Sequence, residues 1–484
     1  MGFLTGCLRI ARQDKQNGVR SIPINLLLSG FGTGSIIQRP RSNDRTESFS
    51  MPKRVSMTVM AVLALTKLTS LATAAQAGVA AVSSLTFLSS LGVNTHIDQG
   101  YDATKYVPAL HYLGVRNIRD SRRNLEKTIM VHQQTGVQVA LLAFDVEGTI
   151  AAAKTLAQAG ALLAIEGPNE PNNFPVTYRG KTGGGKYKSW LPVAELQKEL
   201  YQMAKSDPIL AHYPVFHVSE GGAETDNVGL QYLTIPDHAD ALLPFPAGTK
   251  LADYANVHNY VSGVRPGYVD NQAWQAADPT LNGNWDGLYK GYGRTWLRQF
   301  KGYPDDELLT LPRVTTETGW DAATPPEERV QGIVLLNTYL AQFKRGWRYT
   351  FIYELGDGEG GDGHQGLFHE DWTPKQAATF IHNLTAILAD DKDVATPSAV
   401  NYSIPDQPRR VHDLLMQKSS GQFNLAIWGE RVRGADDIVL NLGSVRKNVK
   451  IYDTTVGTEP VQTIGETAVV KLNVSDHAFI VQFE

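Results

Sequence analysis

Eight short apolar segments, separated by helix-like segments, occupy the middle of this 484-residue sequence and limit the folds that it can adopt. The intervening segments, such as residues 191–205 and 326–344, carry apolar residues at helical spacing. Strands that alternate with helices are typical of a parallel sheet covered by helices. Eight such units predict an α/β fold of the (β/α)8 TIM barrel type. The predicted barrel strands are residues 91–97, 115–120, 137–144, 162–169, 215–219, 254–260, 313–318 and 349–354.

A different pattern begins near residue 395, where short β-type segments follow one another without helices. They are broken by Gly, Asn and Asp, which is typical of an antiparallel β-sandwich. A chain of this length exceeds the size at which one hydrophobic core usually stops growing, so two domains are expected. We predict the barrel over residues 78–394 and the β-sandwich over residues 395–484. The predicted sandwich strands are residues 411–418, 422–429, 437–442, 447–453, 459–463, 468–472 and 478–483.

The N-terminal region has the pattern of an export signal. Residues 51–54 form a short basic start, residues 55–74 form an apolar run, and residues 75–77 read Ala-Gln-Ala, an A-x-A cleavage pattern. The alternative is a membrane anchor, but Lys67 interrupts the run, which is marginal for a bilayer about 30 Å thick. Residues 1–50 are interpreted as a mis-assigned or disordered extension, with a functional extension as the alternative. We expect a secreted or periplasmic protein of the bacterial envelope.

Removing residues 1–77 changes the charge balance of the chain. That segment holds ten of the 45 Lys and Arg residues and three of the 49 Asp and Glu residues, which leaves a net charge of −11. An acidic protein repels phosphate backbones, so we expect no nucleic-acid partner. The single cysteine, Cys7, lies in the removed segment. Without it, the exported chain can form neither disulfides nor a Cys-ligated metal site.

An acidic residue and its amide neighbour end the fourth predicted strand. Asn169 and Glu170 follow an apolar segment, and the carboxyl ends of barrel strands meet at the face where barrels bind ligands. A carboxyl group there can act as a general acid, while the amide can hydrogen-bond a sugar hydroxyl. Asn169 could instead cap the following turn. Glu166, four residues earlier on the same strand face, is interpreted as structural.

A second glutamate, Glu317, closes the predicted seventh strand. Double displacement at an anomeric carbon requires two carboxyl groups about 5 to 5.5 Å apart, one to attack and one to protonate the departing oxygen. Glu170 and Glu317 lie on strands that can meet across the barrel mouth. A carboxyl group ending an apolar strand is otherwise poorly solvated, which favours a functional role. As an acid, Glu170 is expected to have a raised pKa in the free protein.

These motifs resemble clan A of the glycoside hydrolases, which carries Asn-Glu on strand four and a nucleophilic Glu on strand seven. Arg119 matches the strand-two Arg that supports the nucleophile, and His258 and Tyr260 match the His-x-Tyr of strand six. The resemblance covers roughly residues 88–390 and is greatest to family 39, which includes β-xylosidases, α-iduronidases and bacterial exopolysaccharide endoglycosidases. It implies a TIM barrel with the two glutamates as acid/base and nucleophile.

The supporting residues each have a structural alternative. Arg119 could pair with Asp120 or Glu166 inside the barrel rather than hold the nucleophile. Tyr260 could simply fill the barrel mouth, although the resemblance implies that its hydroxyl contacts the nucleophile and keeps it ionised. His258 could be a hydrogen-bonded core histidine instead of a substrate contact.

Further candidates for substrate binding lie at the ends of other strands. His96 ends strand one, Glu354 ends strand eight, and Trp320 follows Glu317 in a loop where its ring could stack on a pyranose face. The other tryptophans that could either stack on sugar or hold long loops are Trp274, Trp285 and Trp372. Two long connections, residues 177–190 and 261–296, are rich in Gly, Tyr and Trp and are expected to border the site.

The acidic segment at residues 357–364 raises the alternative of a calcium or zinc site, but its spacing matches no EF-hand loop. We therefore expect no metal and no cofactor.

The sequence thus predicts a retaining β-glycoside hydrolase that acts on a polysaccharide or oligosaccharide and has no stable membrane insertion. Two alternatives remain: a non-catalytic polysaccharide-binding or exopolysaccharide-assembly protein on the same scaffold, and an inverting hydrolase, whose carboxyl groups would lie roughly 6.5 to 9.5 Å apart. The sugar, endo or exo action and the oligomeric state stay open.

Overall fold

The computed structural model describes residues 78–185, 189–219, 221, 230–237, 245–260, 303, 307, 310–361, 363–431 and 433–484. The predicted signal at residues 51–77, the extension before it and the predicted connection at residues 261–296 lie outside these residues. The described residues belong to one compact unit that starts at Ala72. No helix within them is long and apolar enough to cross a membrane.

The described elements alternate between strands and helices up to residue 388 and are strands thereafter. The strands are β1 Val79–Ala80, β2 Val82–Ser83, β3 Leu91–Asn94, β4 Asn117–Ser121, β5 Gln138–Ala143, β6 Leu162–Pro168, β7 Val176–Tyr178, β8 Lys181–Gly183, β9 Val215–Phe216, β10 Ala255–His258, β11 Arg313–Thr318, β12 Trp347–Ile352, β13 Ala399–Val400, β14 Val411–Gln417, β15 Phe423–Gly429, β16 Asp436–Asp453, β17 Gln462–Val474 and β18 Ala478–Phe483. The helices are α1 Ser84–Leu88, α2 Ala103–Leu113, α3 Leu125–Thr135, α4 Val146–Gln158, α5 Leu191–Ser206, α6 Pro325–Lys344 and α7 Gln376–Leu388.

Eight parallel strands form the barrel, in the order β10-β11-β12-β3-β4-β5-β6-β9. Parallel bridges Phe216 to Tyr254 and Gly221 to His258 join the two edge strands, so the sheet is nearly closed. All eight predicted barrel strands are present, and the predicted TIM barrel is confirmed. Helices cover the barrel strands from outside, so the strands are near-continuous buried runs; every residue of β6 and of β11 is buried.

The helices begin where the sequence supplies suitable residues. The Asp145 side chain accepts a hydrogen bond from the backbone N–H of Gly148 at the start of α4, and Asp102 accepts one from Thr104 at the start of α2. Pro192 stands in the first turn of α5, where its missing N–H costs no hydrogen bond.

The C-terminal strands form a six-stranded sheet in the order β17-β16-β18-β15-β14-β2. The predicted β-rich region is therefore present, while its arrangement as a two-sheet sandwich stays a prediction. The start of the described part contributes its edge strand, because β2 pairs in parallel with β14, while β1 and β13 form a separate two-stranded sheet. The hydrophobic core is shared, since Trp428 and Ile480 of this sheet cluster with residues of α6 and α7.

A partly buried ion cluster also joins this sheet to α6. His477 contacts Asp453 at 3.2 Å and Asp476 at 3.0 Å, and Asp476 pairs with Arg329 of α6 at 2.9 Å. Burial disfavours the charged ring, but the two carboxylates outweigh burial and raise the pKa of His477 to about 9. The protonated ring therefore stabilises the folded protein.

We expect this contribution to depend on pH. It is complete below about pH 6.5, the usual value for an unfolded histidine, and is lost as the pH rises through about 9. Urea unfolding at pH 6 and pH 10 is expected to show a fall on the order of 1–3 kcal/mol that His477→Gln largely removes. An equal fall in wild type and variant would contradict this assignment.

Candidate active site

The candidate site lies where the barrel strands end. Glu317 lies in β11, Glu170 follows β6 by two residues, and Arg119 and His258 lie in β4 and β10. All four side chains line one cavity of about 770 Å³. Because carboxyl ends of parallel strands converge at one face of a barrel, residues distant in sequence meet there.

Two donors hold Glu317 in place. Arg119 Nη1 donates to its Oε1 at 2.5 Å, and the Tyr260 hydroxyl donates to its Oε2 at 2.7 Å. Burial, together with the charges of Glu317 and Glu170, raises the pKa of Tyr260 well above its ordinary value, so the hydroxyl keeps its proton. Glu317 is only 8% exposed, which leaves a fixed and largely desolvated carboxylate facing the cavity.

Arg119 links Glu317, the candidate nucleophile, to polar side chains inside the barrel. Its guanidinium contacts Glu166 Oε2 at 2.6 Å and Glu166 Oε1 at 2.9 Å, and it donates to Asn94 Oδ1 at 3.1 Å and Asn169 Oδ1 at 2.8 Å. Burial opposes its charge, but Glu166 and Glu317 outweigh burial and raise the pKa of Arg119. The contact with Glu166 that was the structural alternative is present together with the contact to Glu317, and the functional role of Arg119 stays a prediction.

Glu170 occupies a turn with an unusual backbone conformation, at a φ of 38°. Its Oε1 lies 2.7 Å from His258 Nδ1, and its Oε2 accepts from Asn173 Nδ2 at 2.8 Å. Burial would raise the pKa of Glu170, but these contacts and the Arg119 charge outweigh burial and lower it. The expectation of a raised pKa is thus wrong for this structure, because the carboxylate has donors that the sequence pattern did not reveal.

The ring of His258 is oriented by a hydrogen-bonded chain. Its Nε2 lies 3.0 Å from the Thr316 hydroxyl, whose own proton faces two acceptors, Glu166 Oε1 at 2.8 Å and Asn256 Oδ1 at 3.0 Å. Nε2 therefore carries a hydrogen and donates it to Thr316. His258 Nδ1 lies within hydrogen-bond distance of Glu170 Oε1 and 3.4 Å from Glu317 Oε2.

The same group of side chains has the donor types of a cation site. One atom each from Glu170, His258 and Glu317 lies within 4.8 Å of the others. Glu317 already accepts from the cationic Arg119, which opposes binding of a second cation at the same oxygens.

The other predicted site residues differ in whether they line the cavity. Asn169 and His96 line it, and His96 Nε2 pairs with Glu354 Oε2 at 2.9 Å. Glu354 itself is fully buried, so it positions His96 and cannot contact a ligand directly. Trp320 is 8% exposed and packs in the hydrophobic core, so the predicted stacking on sugar is wrong.

The remaining tryptophans do not supply that surface among the described residues. Trp372 packs against Tyr106 and Phe368, whereas Trp274 and Trp285 lie outside the described part of the chain.

Several residues of the site were missed from the sequence. Asn173 stands three residues after Glu170, a spacing that could have indicated a contact within one turn. Thr316, directly before Glu317 in β11, lies 3.0 Å from His258 Nε2. Asn256, two residues before His258 in β10, accepts from the Thr316 hydroxyl and backbone N–H. Phe144 and Phe174 also line the cavity, although neither belongs to a recognisable motif.

Fold and site together define a TIM barrel with paired glutamates at its carboxyl end. No family model matches the chain, and no curated protein matches it. Solved structures do. A family 39 glycoside hydrolase from the gut symbiont Bacteroides cellulosilyticus WH2 aligns with a TM-score of 0.51 at 14% identity, over 84% of this chain and 83% of that one. CelM2, a bifunctional glucanase-xylanase protein from a metagenome library, aligns with a TM-score of 0.51 at 12% identity, over 84% and 97%. The resemblance indicated by the motifs is confirmed at the level of the fold.

Proposed function

We propose that this protein is a retaining glycoside hydrolase with Glu317 as nucleophile and Glu170 as acid/base. One observation carries the proposal: an oxygen of each carboxylate lies within 4.8 Å of the other, on strands that face each other across the barrel mouth. That spacing suits double displacement, whereas inversion requires room for a water molecule between the carboxylates.

The nucleophile is prepared by its two donors. Arg119 and Tyr260 each hold one oxygen of Glu317, which fixes its direction and favours the anionic form. In the first step Glu317 attacks the anomeric carbon, and the bond from this carbon to the leaving oxygen breaks. Because both donors belong to the rigid barrel, little reorganisation is needed as charge leaves the carboxylate.

The acid step uses the proton shared by Glu170 and His258. Glu170 transfers that proton to the leaving oxygen as the glycosidic bond breaks. In the second step water attacks the glycosyl-enzyme, Glu170 accepts the proton of the water, and Glu317 is released. The 2.7 Å contact with His258 Nδ1 keeps this proton at the Glu170 carboxyl group through the first step.

The proposed substrate class takes its support from the solved structures that the chain resembles. They are described as a family 39 glycoside hydrolase and a glucanase-xylanase, and we extend a β-linked polysaccharide or oligosaccharide substrate to this chain. Asn169 and His96 are the proposed ligands of sugar hydroxyls beside the reacting carbon. We also propose export to the periplasm or medium, on the strength of the signal pattern at residues 51–77.

The test is hydrolysis of a panel of aryl β-glycosides and β-linked polysaccharides by the protein from residue 78 onward. NMR of the first product should show the β anomer before mutarotation. Inversion would replace the retaining mechanism, and binding of polysaccharide without any cleavage would favour a sugar-holding scaffold instead.

A change at Asn173 tests the acid directly. Asn173→Ala removes an N–H donor to the Glu170 carboxylate, so the pKa of Glu170 is expected to rise. The alkaline limb of kcat/KM, where the acid loses its proton, should move to higher pH. Asn172→Ala is the matched control, because Asn172 bonds the backbone of Gly221 instead. If the alkaline limb of the Asn173→Ala profile stayed in place or moved to lower pH, the assignment of Glu170 as the acid would be refuted.

A further inference from the structure

Two exposed aromatic rings stand in the proposed active-site cavity. Among the Phe and Trp side chains that the structure describes, only Phe174, at 63%, and Phe144, at 49%, are exposed. Both line the cavity that holds Glu170 and Glu317. Apolar rings left open to water inside a polar cleft are typical of ligand-binding surfaces rather than of random exposure.

Phe174 is carried by the same turn as the acid. The backbone N–H groups of Asn173 and Phe174 both donate to the Glu170 carbonyl at 2.8 Å. The Asn173 side chain also binds the Glu170 carboxylate, so ring and carboxylate share one short, hydrogen-bonded segment. Phe174 is therefore held at a fixed position beside the acid.

Phe144 stands on the neighbouring strand. It directly follows β5, whose last residue, Ala143, pairs with Pro168 of β6 just before Glu170. The Arg123 guanidinium lies 5.9 Å from the centre of the Phe144 ring, a cation–π distance that orients the ring. Both rings thus belong to the third and fourth barrel strands, on the side of Glu170.

The chemistry of the two sides of the cavity differs. On the side of β3 the lining includes the polar residues His96, Asp98 and Gln99, which can bind sugar hydroxyls. On the side of β5 and β6 it includes the two rings with apolar Pro175 and Val176, next to polar Asn169, Asn173 and Thr177. The leaving oxygen receives its proton from Glu170, so the leaving group lies on the side that carries the two rings.

We propose that Phe144 and Phe174 form a subsite for a sugar residue of the leaving group. The apolar C–H face of a pyranose ring stacks on aromatic rings. The substrate is then a chain with sugar on both sides of the cleaved bond, rather than an aryl or alkyl glycoside. This inference rests on the proposed function and deepens it.

The experiment compares two leaving groups on one glycone. Wild type, Phe174→Ala, Phe144→Ala and the double variant are assayed on xylotetraose and on β-xylosyl fluoride, and on cellotetraose and β-glucosyl fluoride, since fluoride has no ring to stack. We expect each single variant to lower kcat/KM on the tetrasaccharide about 3- to 10-fold and to leave the fluoride unchanged. Phe174→Tyr should retain wild-type values. Val445→Ala, at a residue of β16 that is 64% exposed, should change neither substrate.

The outcomes distinguish a failure of the proposed subsite from a failure of the proposed function. Equal losses on both substrates would mean that the rings only support the loop of Glu170, and no loss on either would mean that they touch no sugar; each result overturns the subsite alone. If wild type cleaves none of the four substrates and nothing in the hydrolysis panel, the proposed function fails and the subsite fails with it.

Discussion

Replacing Glu317 by Ala is expected to lower kcat/KM on the order of 10⁴-fold or more, because the variant lacks the carboxylate that we propose forms the glycosyl-enzyme. Glu170→Ala should cost roughly 10²- to 10⁴-fold, most severely for leaving groups that need protonation. Sodium azide should restore turnover to both variants, since the small anion occupies the space of the lost carboxylate. The azide product from Glu317→Ala should be the α anomer and that from Glu170→Ala the β anomer, as measured by NMR.

The control for this pair is Glu459→Ala, which removes an exposed carboxylate of the C-terminal region. It should retain wild-type kcat/KM. Glutamate variants with more than a tenth of wild-type activity, or azide products of the same anomer from both, would contradict the assigned roles.

Arg119→Ala is expected to be the most destabilising single change in the barrel. It would leave Glu166, which is fully buried, and Glu317 without their shared cation. Removing one partner of a buried ion pair costs about 3–5 kcal/mol, because the remaining charge stays desolvated. Urea unfolding should show this loss, and activity should fall with it because Glu317 loses its main donor.

The matched control is Arg329→Ala. Arg329 also pairs with a carboxylate, Asp476, but its side chain is 44% exposed. An exposed ion pair contributes about 0–1 kcal/mol, so the two arginine variants should differ severalfold in their effect. A loss below about 1 kcal/mol for Arg119→Ala would show that the buried network is not needed for the fold.

The sequence predicted the barrel well because its strands are buried on both faces. A strand such as β6 is apolar almost throughout, so its pattern depends little on tertiary contacts. Strand ends were less certain: the first strand was predicted to reach residue 97, but it ends at Asn94, and residues 97–99 form a 3₁₀ turn.

The C-terminal strands were predicted less well, for a local reason. Residues 437–442 and 447–453 were predicted as two strands but form the single strand β16, in which the register shifts between Asn441 and Val449. Gly443 and Asn448 adopt positive φ there, as does Gly465 within β17. Such residues indicate a turn in sequence, yet here they form bulges within long paired strands. Strands β1 and β2 were not predicted, because each has only two residues, and so short a segment shows no alternation of apolar and polar side chains.

Only the site residues that belong to a sequence motif could be predicted. Asn169 and Glu170 end one strand and Glu317 ends another, so the strand pattern alone placed both glutamates at one face. The contact of Asn173 with Glu170 is local, and only the three-residue spacing could have indicated it. The buried orientation of Trp320 depends on side-chain packing between distant segments. Periodicity does not reveal such packing, so Trp320 was predicted to stack on sugar although it is buried, and Phe144 and Phe174 were not predicted to line the cavity.

The central claim is that Glu317 becomes covalently bonded to the sugar, and the most direct test is to trap that bond. The protein is incubated with the activated 2-deoxy-2-fluoro glycoside of the sugar that it cleaves, and peptides are analysed by mass spectrometry. We predict one glycosyl group per chain, attached to Glu317 and absent from Glu317→Ala. Turnover of the parent glycoside without any trapped species, or a label on another residue, would contradict the account.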